Sequence, residues 1–505
     1  MSEESKDIQQ QTEQVSQTSS YRSIFKATSL FGGVQVYQIL IGIIKSKFVA
    51  VLLGPVGMGI MGLYQSTIEL VKSLSSFGLE QSAVRDISEA KGSEDTKRIS
   101  NTVSTVRRLV WLTGLLGLAI TLFMSPILSQ LTFGSGDYTW GFAILSVTLL
   151  IDQLCVGQKV LIQGMRRLKD LAKASAIGST IGLLISVPLY YWIGVKGIVP
   201  TMVLTSIAAM LISWYYSNKI QVDNVRVTVR KALSSGRSMI KMGISLSVSG
   251  ILVTLCAYVL RWFIRGQGGV EAVGLFTAGY VIMTTYVGMV FKAMGTDYYP
   301  RLAAVNKDNG KCKEIINQQG EIAILILAPL VISCIIFMPF IIRLIYSSEF
   351  LAATDYVLWA ILGMMFKAAS WAISFSFIAK AEAKLFIINE TIINIVLLVF
   401  QVAGYYFSGL VGLGVAFMLG NLIYLIQVYL IARRRYEFGF SSSFLTVYVI
   451  QFTMVLLSFI VVHVWHSNYA YIIHCILFVL SAFYSIIELN KRMNLRQFFL
   501  KNKLI

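Results

Sequence analysis

The chain has 505 residues, of which 56% are hydrophobic and only 13% are charged, whereas about 25% of the residues in a typical soluble domain are charged. This composition excludes a string of soluble domains and predicts an all-α integral membrane protein. Five cysteines and three histidines are too few for a disulfide scaffold or a histidine-built metal or hydrolase site, so we predict no metal, no cofactor and no catalytic residue.

The net charge of +18 comes from Lys and Arg residues in short loops between apolar stretches. Because these cations do not form a basic domain, nucleic acid is not predicted as a partner. Instead, their distribution bears on membrane topology, since Lys and Arg are retained on the cytoplasmic side of a membrane.

The predicted elements begin with a tail at residues 1–21, which is rich in Ser, Gln and Glu and is predicted to be disordered. A helix needs about 20 apolar residues to cross the hydrocarbon of a bilayer. About fourteen such segments follow, at residues 24–52, 60–83, 107–131, 139–163, 170–192, 197–218, 241–265, 271–295, 319–345, 352–379, 384–407, 410–432, 443–463 and 468–488.

Charge asymmetry sets the predicted orientation of these helices. With a cytoplasmic N-terminus, the inward segments hold 33 of the 43 Lys and Arg residues, and the outward loops hold three, Lys196, Arg265 and Arg343. By the positive-inside rule both termini are predicted to be cytoplasmic. The membrane itself is predicted to be the bacterial cytoplasmic (inner) membrane, with its lipids in contact with the helices.

An internal repeat is visible at an offset of 215 residues. The segment Tyr190–Gly197 matches Tyr405–Gly412, with the aromatic residues and both glycines in register. Two six-helix copies of the same orientation are predicted from this, as in transporters with parallel repeats. The predicted domains are the tail at 1–21, an N-lobe at 22–220, a cytoplasmic linker at 221–240, a C-lobe at 241–435, two additional helices at 436–490 and a cytoplasmic tail at 491–505.

Seven cations fall inside predicted helices, where a charge costs at least about 2.5–3.5 kcal/mol and normally faces a polar cavity or a partner. Lys159 and Lys292 lie near inner helix ends, from which long side chains reach the interface. The other five are predicted to form a cationic cavity that binds substrate: Lys45, Lys47, Lys72, Arg261 and Lys367. Lys47 and Arg261 occupy matching positions of the two repeats.

Three carboxylates are also predicted within the membrane: Glu69, Asp152 and Glu390. Glu69 and Lys72 stand three residues apart on one helix face, so they can neutralise each other or serve to couple transport to H⁺ or Na⁺. Because the cations outnumber the carboxylates, the cavity is predicted to prefer an anion. No phosphate-binding G-x-x-x-x-G-K-[ST] loop occurs, so an ion gradient or the membrane potential is the predicted energy source.

Several motifs together resemble the Wzx-type polysaccharide flippases of the MOP exporter superfamily. The segment Lys47–Gly59 resembles the K-x-x-A-x-x-x-G-P-x-G-x-G signature of that family. Further similar segments are Gln163–Arg166, Tyr298–Leu302, Ser348–Ala353 and Ile378–Ala381. The order and spacing of these motifs carry the resemblance across residues 24–435.

The resemblance implies two six-helix lobes around a central cavity that opens alternately to each side. It implies a substrate, an undecaprenyl-diphosphate-linked oligosaccharide such as an O-antigen repeat unit, which moves from the inner to the outer leaflet. Lys47 and Arg261 would then contact the diphosphate or an acidic sugar. A glycan polymerase and a chain-length regulator of the same pathway are implied partners. About fourteen helices, rather than the usual twelve, depart from the family pattern, and the extra pair could hold the lipid tail.

Three alternatives stay open. A multidrug or organic-cation antiporter of the same superfamily would need a carboxylate in the first helix, which carries Lys45 and Lys47 instead. A glycan polymerase or ligase would need a large outer loop, whereas every predicted outer loop is shorter than about fifteen residues. A purely structural membrane subunit would need partners within the fold for the deep charges of Lys72 and Lys367.

Overall fold

The computed structural model describes the backbone of residues 3–93, 95–223, 225, 227–380, 382–465 and 468–493. Side chains are described from Gly33 onward, apart from positions 245–246, 293, 296–297, 300, 383, 468–469 and 493. The predicted tail at 1–21 and residues 494–505 of the predicted C-terminal tail lie outside this description and stay predictions.

All regular structure in the described residues is helical, as the composition predicts. The α-helices are α1 (Glu3–Ser75), α2 (Leu79–Gly92), α3 (Thr96–Phe123), α4 (Ser125–Phe133), α5 (Thr139–Gly164), α6 (Leu168–Ile193), α7 (Ile198–Asn218), α8 (Val229–Ser235), α9 (Arg237–Val281), α10 (Met289–Ala304), α11 (Asn309–Ile345), α12 (Thr354–Ala379), α13 (Ala383–Tyr436), α14 (Ser442–Val464) and α15 (Asn468–Met493). Short 3₁₀ turns occupy Gly194–Gly197 and Ser348–Ala353, and a π-helical turn occupies Ile282–Val287.

Ten stretches of the described chain are long and apolar enough to cross a membrane. Four of them, at 33–75, 168–218, 247–292 and 384–436, have 43 to 53 residues. At 1.5 Å per residue a straight helix of this length would span about 65–80 Å, more than twice the hydrocarbon thickness. Each stretch contains a non-helical residue or a 3₁₀ turn. The predicted count of fourteen crossings rests on dividing these four stretches at their breaks.

The breaks repeat along the chain with the offset found in the sequence. Gly54 has φ 65° and ψ −173°, and Gly269 has φ 76° and ψ −176°. Gly194 (φ 62°, ψ −139°) and Gly409 (φ 56°, ψ −135°) form a second pair. Both pairs are 215 residues apart, and positive φ at these angles is a conformation that glycine adopts without steric cost. Glycine therefore recurs because the same turn recurs in each repeat.

The chain divides into two compact units. The first comprises residues 1–48 and 67–247, and the second comprises residues 49–66 and 248–505. In the first unit α3 packs on α5, and α7 packs on both α5 and α6. Its buried core lies where α2, α3 and α5 meet, and includes Ile87, Leu109 and Ile162.

In the second unit α12 packs along α13 and α11. A buried core around Tyr298, Ile373 and Phe377 joins α10 to α12. Segment 49–66, which the sequence analysis placed in the first repeat, also packs in this unit. The predicted lobe and linker boundaries stay predictions.

The two additional C-terminal helices, α14 and α15, pack on α11 and on each other. Between them, the fully buried Gln451 donates to Ser485 Oγ at 2.8 Å and accepts from Ser481 Oγ at 2.6 Å. Arg492 at the end of α15 donates to Glu321 Oε2 on α11 at 2.7 Å. These polar contacts fix the pair within the second unit, because an unsatisfied amide or guanidinium inside a helix bundle is costly.

Two helices begin about ten residues before the predicted membrane segments. Asp95 accepts from the backbone N–H groups of Lys97 and Arg98 and caps α3. Asp308 accepts from the N–H of Lys311 and caps α11. The apolar pattern marks only the part of a helix that lies in lipid. The polar turns before it are set by an Asp cap, which satisfies free N–H groups.

The crossing of segment 55–66 with α9 in the second unit depends on glycine. A Cβ at Gly59 would overlap the carbonyl of Val270 and lie 2.9 Å from its Cγ1, and a Cβ at Gly274 would overlap the carbonyl of Pro55. We expect Gly59→Ala to lower the free energy of unfolding by about 1–3 kcal/mol, because the two backbones must separate. Thermal unfolding of the purified protein measures this change.

The matched control for this change is Gly250→Ala on α9, where a Cβ meets nothing within 4 Å. It should raise stability by about 0.5–1 kcal/mol, as Ala does in helices. Equal effects of the two substitutions would contradict the close crossing.

Candidate functional site

A polar cavity of about 410 Å³ lies inside the first unit, at membrane-spanning positions of α1, α5, α6 and α7. Its charged lining consists of Lys45, Asp152 and Lys159. The other polar side chains that line it are Gln38, Ser175, Ser179, Thr205, Ser206 and Ser213. An anion is the ligand that two cations and one carboxylate favour.

Several hydroxyls of this cavity already donate their hydrogen to the helix on which they lie. Ser179 Oγ donates to the carbonyl of Ser175 at 2.9 Å, and Thr205 Oγ1 donates to the carbonyl of Thr201 at 2.7 Å. Their oxygen lone pairs are therefore left to accept hydrogen bonds. Hydroxyl-bearing ligands such as sugars can donate to these oxygens.

Lys72 lies on the same side of the first unit and is only partly buried. Its Nζ is 3.7 Å from Oδ2 of Asp152 on α5. The sequence analysis paired Lys72 with Glu69, which is exposed on α1. An ion pair of this length between partly exposed side chains contributes at most about 1 kcal/mol, so it can open and close at little cost.

The second unit contains a separate polar cluster at membrane-spanning positions. Lys367 on α12 and Glu390 on α13 are close enough to interact electrostatically. Tyr424, on the far half of α13, donates to Glu390 Oε1 at 2.5 Å. Gln427 donates to Oδ1 of the buried Asn389 at 2.7 Å. This cluster joins the two halves of α13 to α12 through charge and hydrogen bonds.

The two polar regions occupy corresponding positions of the repeat. Asp152 and Lys367 are 215 residues apart, the offset that relates Gly54 to Gly269. The same location thus carries a carboxylate in the first unit and an ammonium group in the second. In each case a neighbouring helix provides the opposite charge, Lys72 for Asp152 and Glu390 for Lys367.

Lys47 and Arg261 belong to different units, the first and the second respectively. Lys47 is partly buried on α1. The guanidinium carbon of Arg261 lies 5.7 Å from the centroid of the Phe276 ring and 5.5 Å from that of Tyr280. Its Nη1 donates to the carbonyl of Ala257 at 3.1 Å. Aromatic faces stabilise a cation away from bulk water, which explains how this arginine is tolerated inside an apolar helix.

The motifs that carry the family resemblance contribute mainly to packing. Tyr298 is fully buried and donates to the carbonyl of Ala372 at 2.5 Å, and burial raises the pKa of its phenol well above the ordinary value. Arg301 donates to Gln319 Oε1 at 3.0 Å. Phe350 is fully buried against the ring of Tyr346. The functional charges therefore lie elsewhere in the chain.

Sequence reasoning did not single out Tyr424 or Gln427, and it assigned Lys159 to the interface. Lys159 lines the cavity because α5 continues for more than a turn beyond it, to Gly164. Tyr424 and Gln427 carry one sequence signal: they are polar residues three apart in an apolar helix, so they share a face. Among the described residues, no group of three or more His, Cys, Asp or Glu side chains could hold a metal ion.

Two carboxylates outside the membrane segments predict opposite pH effects on stability. Burial raises the pKa of Asp86 on α2, although Arg85 beside it partly opposes the shift. Hydrogen bonding from the backbone of Lys311 lowers the pKa of Asp308. A raised native pKa means that stability is lost as pH rises through that pKa, and a lowered one means that stability is lost as pH falls through it.

We therefore expect Asp86→Asn to gain stability relative to the parent as pH rises above the ordinary carboxyl value of about 4. Asp308→Asn should lose stability relative to the parent over the same rise, since the lowered pKa is replaced by a neutral cap. Thermal unfolding of both variants between pH 4 and pH 8 measures the two differences. Curves that run parallel to the parent would contradict both assignments.

Comparison with known proteins identifies the family. The family model described as "Polysaccharide biosynthesis protein" matches residues 48–355, more than half of the chain. The chain belongs to this polysaccharide biosynthesis family. It is also similar to the lipid III flippases of Escherichia coli (strain K12) and Shigella flexneri. Each is 22% identical over 427 residues, which cover 82% of this chain and 100% of the relative.

Solved structures agree on the fold of this family member. An inward-facing multidrug resistance MATE family transporter of the MOP superfamily matches with TM-score 0.69 and 16% identity, over 79% of this chain and 94% of that chain. Lipid II flippase MurJ in an inward closed conformation matches with TM-score 0.65 and 14% identity, over 92% and 99%. The predicted resemblance to MOP-superfamily polysaccharide flippases is thereby confirmed, and this multi-pass membrane protein is a transporter rather than an enzyme.

Proposed function

We propose that this protein is a flippase that moves an undecaprenyl-diphosphate-linked oligosaccharide, such as an O-antigen repeat unit, from the inner to the outer leaflet of the bacterial cytoplasmic membrane. Alternating access is the proposed route, with both termini in the cytoplasm. The observation that carries the proposal is the cavity of the first unit, which combines Lys45 and Lys159 with hydroxyl acceptors in a membrane-spanning bundle. The lipid III flippase of Escherichia coli, matched over its full length, supports the substrate class.

The chemistry of the cavity fits the two polar parts of such a substrate. A diphosphate is recognised by ammonium and guanidinium groups through charge-assisted hydrogen bonds. Sugar hydroxyls can donate to the oxygens of Ser179 and Thr205, whose own hydrogens are bonded to the helix. The polyprenyl chain remains in lipid, where transfer costs nothing. The proposed substrate contacts are Lys47, Arg261, Lys45, Lys72 and Lys367.

The proposed energy source is an H⁺ or Na⁺ gradient or the membrane potential. Asp152, Glu69 and Glu390 are the carboxylates proposed for coupling. The Lys72–Asp152 pair is the strongest of these candidates, because its 3.7 Å separation can be broken cheaply when Asp152 binds a proton. A glycan polymerase and a chain-length regulator are the proposed pathway partners, since a flipped repeat unit must next be polymerised.

The test is complementation in the host from which the gene is deleted. Two quantities are measured: surface glycan, and the fraction of lipid-linked oligosaccharide that an impermeant reagent can reach on intact cells. We expect the deletion to trap the oligosaccharide on the inner leaflet and the parent gene to release it. The Lys47→Ala/Arg261→Ala variant should not rescue, because both proposed phosphate contacts are removed.

The matched control is Lys169→Ala/Lys173→Ala, which removes the same charge from exposed positions of α6 and should rescue fully. Normal surface glycan in the deletion strain would reject the flippase proposal. If that strain instead became sensitive to organic cations, the protein would be an antiporter of the MATE type. Full rescue by the Lys47/Arg261 variant at normal protein level would reject only these two contacts.

A further inference from the structure

A second basic site lies in the first unit, in a groove between α3 and the segment that precedes α8. The groove has a volume of about 400 Å³. One wall is formed by α3, with Ser104, Arg107, Arg108 and Trp111, and the other by Val225, Val227 and Thr228. On α3, Ser104, Arg107, Arg108 and Trp111 follow the i, i+3, i+4, i+7 spacing of one helix face. This groove is separate from the substrate cavity, since the two share no lining residue.

The groove carries positive charge that no lining carboxylate balances. An adjoining cavity of about 420 Å³, which shares Val227 with it, also contains cations. There, however, Arg98 pairs with Glu89 at 2.6 Å and Arg85 pairs with Asp86 at 3.2 Å. The groove has two arginines and two hydroxyls and no acidic residue in its lining. Thr228 Oγ1 already accepts from the N–H of Lys231, so its hydroxyl hydrogen can be donated to an anion.

The depth of the groove corresponds to the level of lipid headgroups. Arg107 and Arg108 are the first residues of the predicted membrane segment 107–131 and, by charge asymmetry, face the cytoplasmic leaflet. Trp111 follows one turn later and is 46% exposed, as expected of an aromatic residue at the membrane interface. Farther along α3, Leu115, Leu116 and Leu122 are exposed and offer an apolar surface for acyl chains.

We propose that this groove binds the phosphate-bearing headgroup of an anionic phospholipid from the cytoplasmic leaflet. The guanidinium groups of Arg107 and Arg108 contact the phosphate oxygens, the Thr228 hydroxyl donates a further hydrogen bond, and the acyl chains lie along α3 beyond Trp111. Since the other wall belongs to the segment before α8, the bound headgroup ties that segment to α3. This inference concerns a lipid site apart from the transported substrate and goes beyond the proposed function.

The experiment is native mass spectrometry of the full-length protein with one added lipid at a time. The probes are dioleoyl phosphatidylglycerol, dioleoyl phosphatidylethanolamine and undecaprenyl diphosphate. We expect phosphatidylglycerol to bind more tightly than phosphatidylethanolamine. In Arg107→Ala/Arg108→Ala its affinity should fall roughly tenfold or more, since each basic residue near an anionic headgroup contributes about a factor of five. Lys169→Ala/Lys173→Ala should bind as the parent does.

Equal loss of phosphatidylglycerol in both double variants, or no loss in either, would overturn the proposal. Undecaprenyl diphosphate that displaces phosphatidylglycerol at equal concentration would also overturn it, because the groove would then receive the substrate lipid. Should the double alanine variant fail to fold, Arg108→Gln provides a milder change with the same expected direction. As an independent readout, a photo-crosslinker at Val225, which is 37% exposed, should label phosphatidylglycerol in the parent and less of it in Arg108→Gln.

Discussion

Alanine at both Lys45 and Lys159 is expected to reduce glycan export at least tenfold at unchanged protein level. These are the two cations that line the cavity of the first unit, and Asp152 is the remaining charge in that lining. Their removal changes the cavity from net positive to net negative, so that a diphosphate is repelled rather than attracted. A hydrogen bond to a charged group contributes about 1.5–3 kcal/mol, and losing even one such bond accounts for a tenfold effect.

Surface glycan in the complemented deletion strain measures this effect, normalised to the amount of protein in the membrane. Lys169→Ala/Lys173→Ala, which changes two exposed cations of α6, should export at the parental rate. Arginine at both cavity positions should retain part of the activity, because it keeps the charge. Parental export by the alanine variant would show that the substrate phosphate is bound elsewhere.

The second large effect is expected on stability, from Lys367→Met in the second unit. Glu390 would then keep its hydrogen bond from Tyr424 but lose the cation with which it interacts. Breaking one side of an ion pair inside a protein costs about 3–5 kcal/mol, since the remaining charge is left uncompensated. We expect a loss of about 3 kcal/mol, the lower end, because Lys367 is only partly buried.

Glu390→Gln introduced into the same variant should restore most of this stability, because no uncompensated charge remains while Tyr424 keeps an acceptor. The free energies of unfolding of the parent, both single variants and the double variant in mixed micelles form the necessary cycle. Lys384→Met, which changes an exposed cation at the start of α13, should have little effect. Additive losses in the double variant would mean that Lys367 and Glu390 do not interact.

Much of the fold could be predicted because lipid imposes its demands on the sequence locally. Each crossing must be apolar over about 20 residues and must satisfy its own backbone, so helices can be read from hydropathy alone. The positions of Gly54, Gly194, Gly269 and Gly409 in the repeat also followed from the sequence, since few other residues adopt their turns. The starts of α3 and α11 did not, because an Asp cap in water leaves no apolar pattern.

The candidate site was predictable only as a set of residue types. Charges in apolar helices identified Lys45, Lys72, Asp152, Lys367 and Glu390, because their cost demands a purpose. Which of them meet was not predictable. Helical spacing favoured Glu69 as the partner of Lys72, whereas α5 brings Asp152 to 3.7 Å from it.

The sequence by itself therefore determined the class of this protein, its repeat and the kind of ligand that its charges favour. These follow from transfer energies and backbone preferences, which each short segment carries independently of the rest. Only the tertiary structure decided that Lys159 joins Lys45 in one cavity, that residues 49–66 pack in the second unit, and that Arg107 and Arg108 face a groove. Such outcomes depend on how close two backbones can approach, as at Gly59 and Val270, and this distance is set by packing between helices remote in sequence.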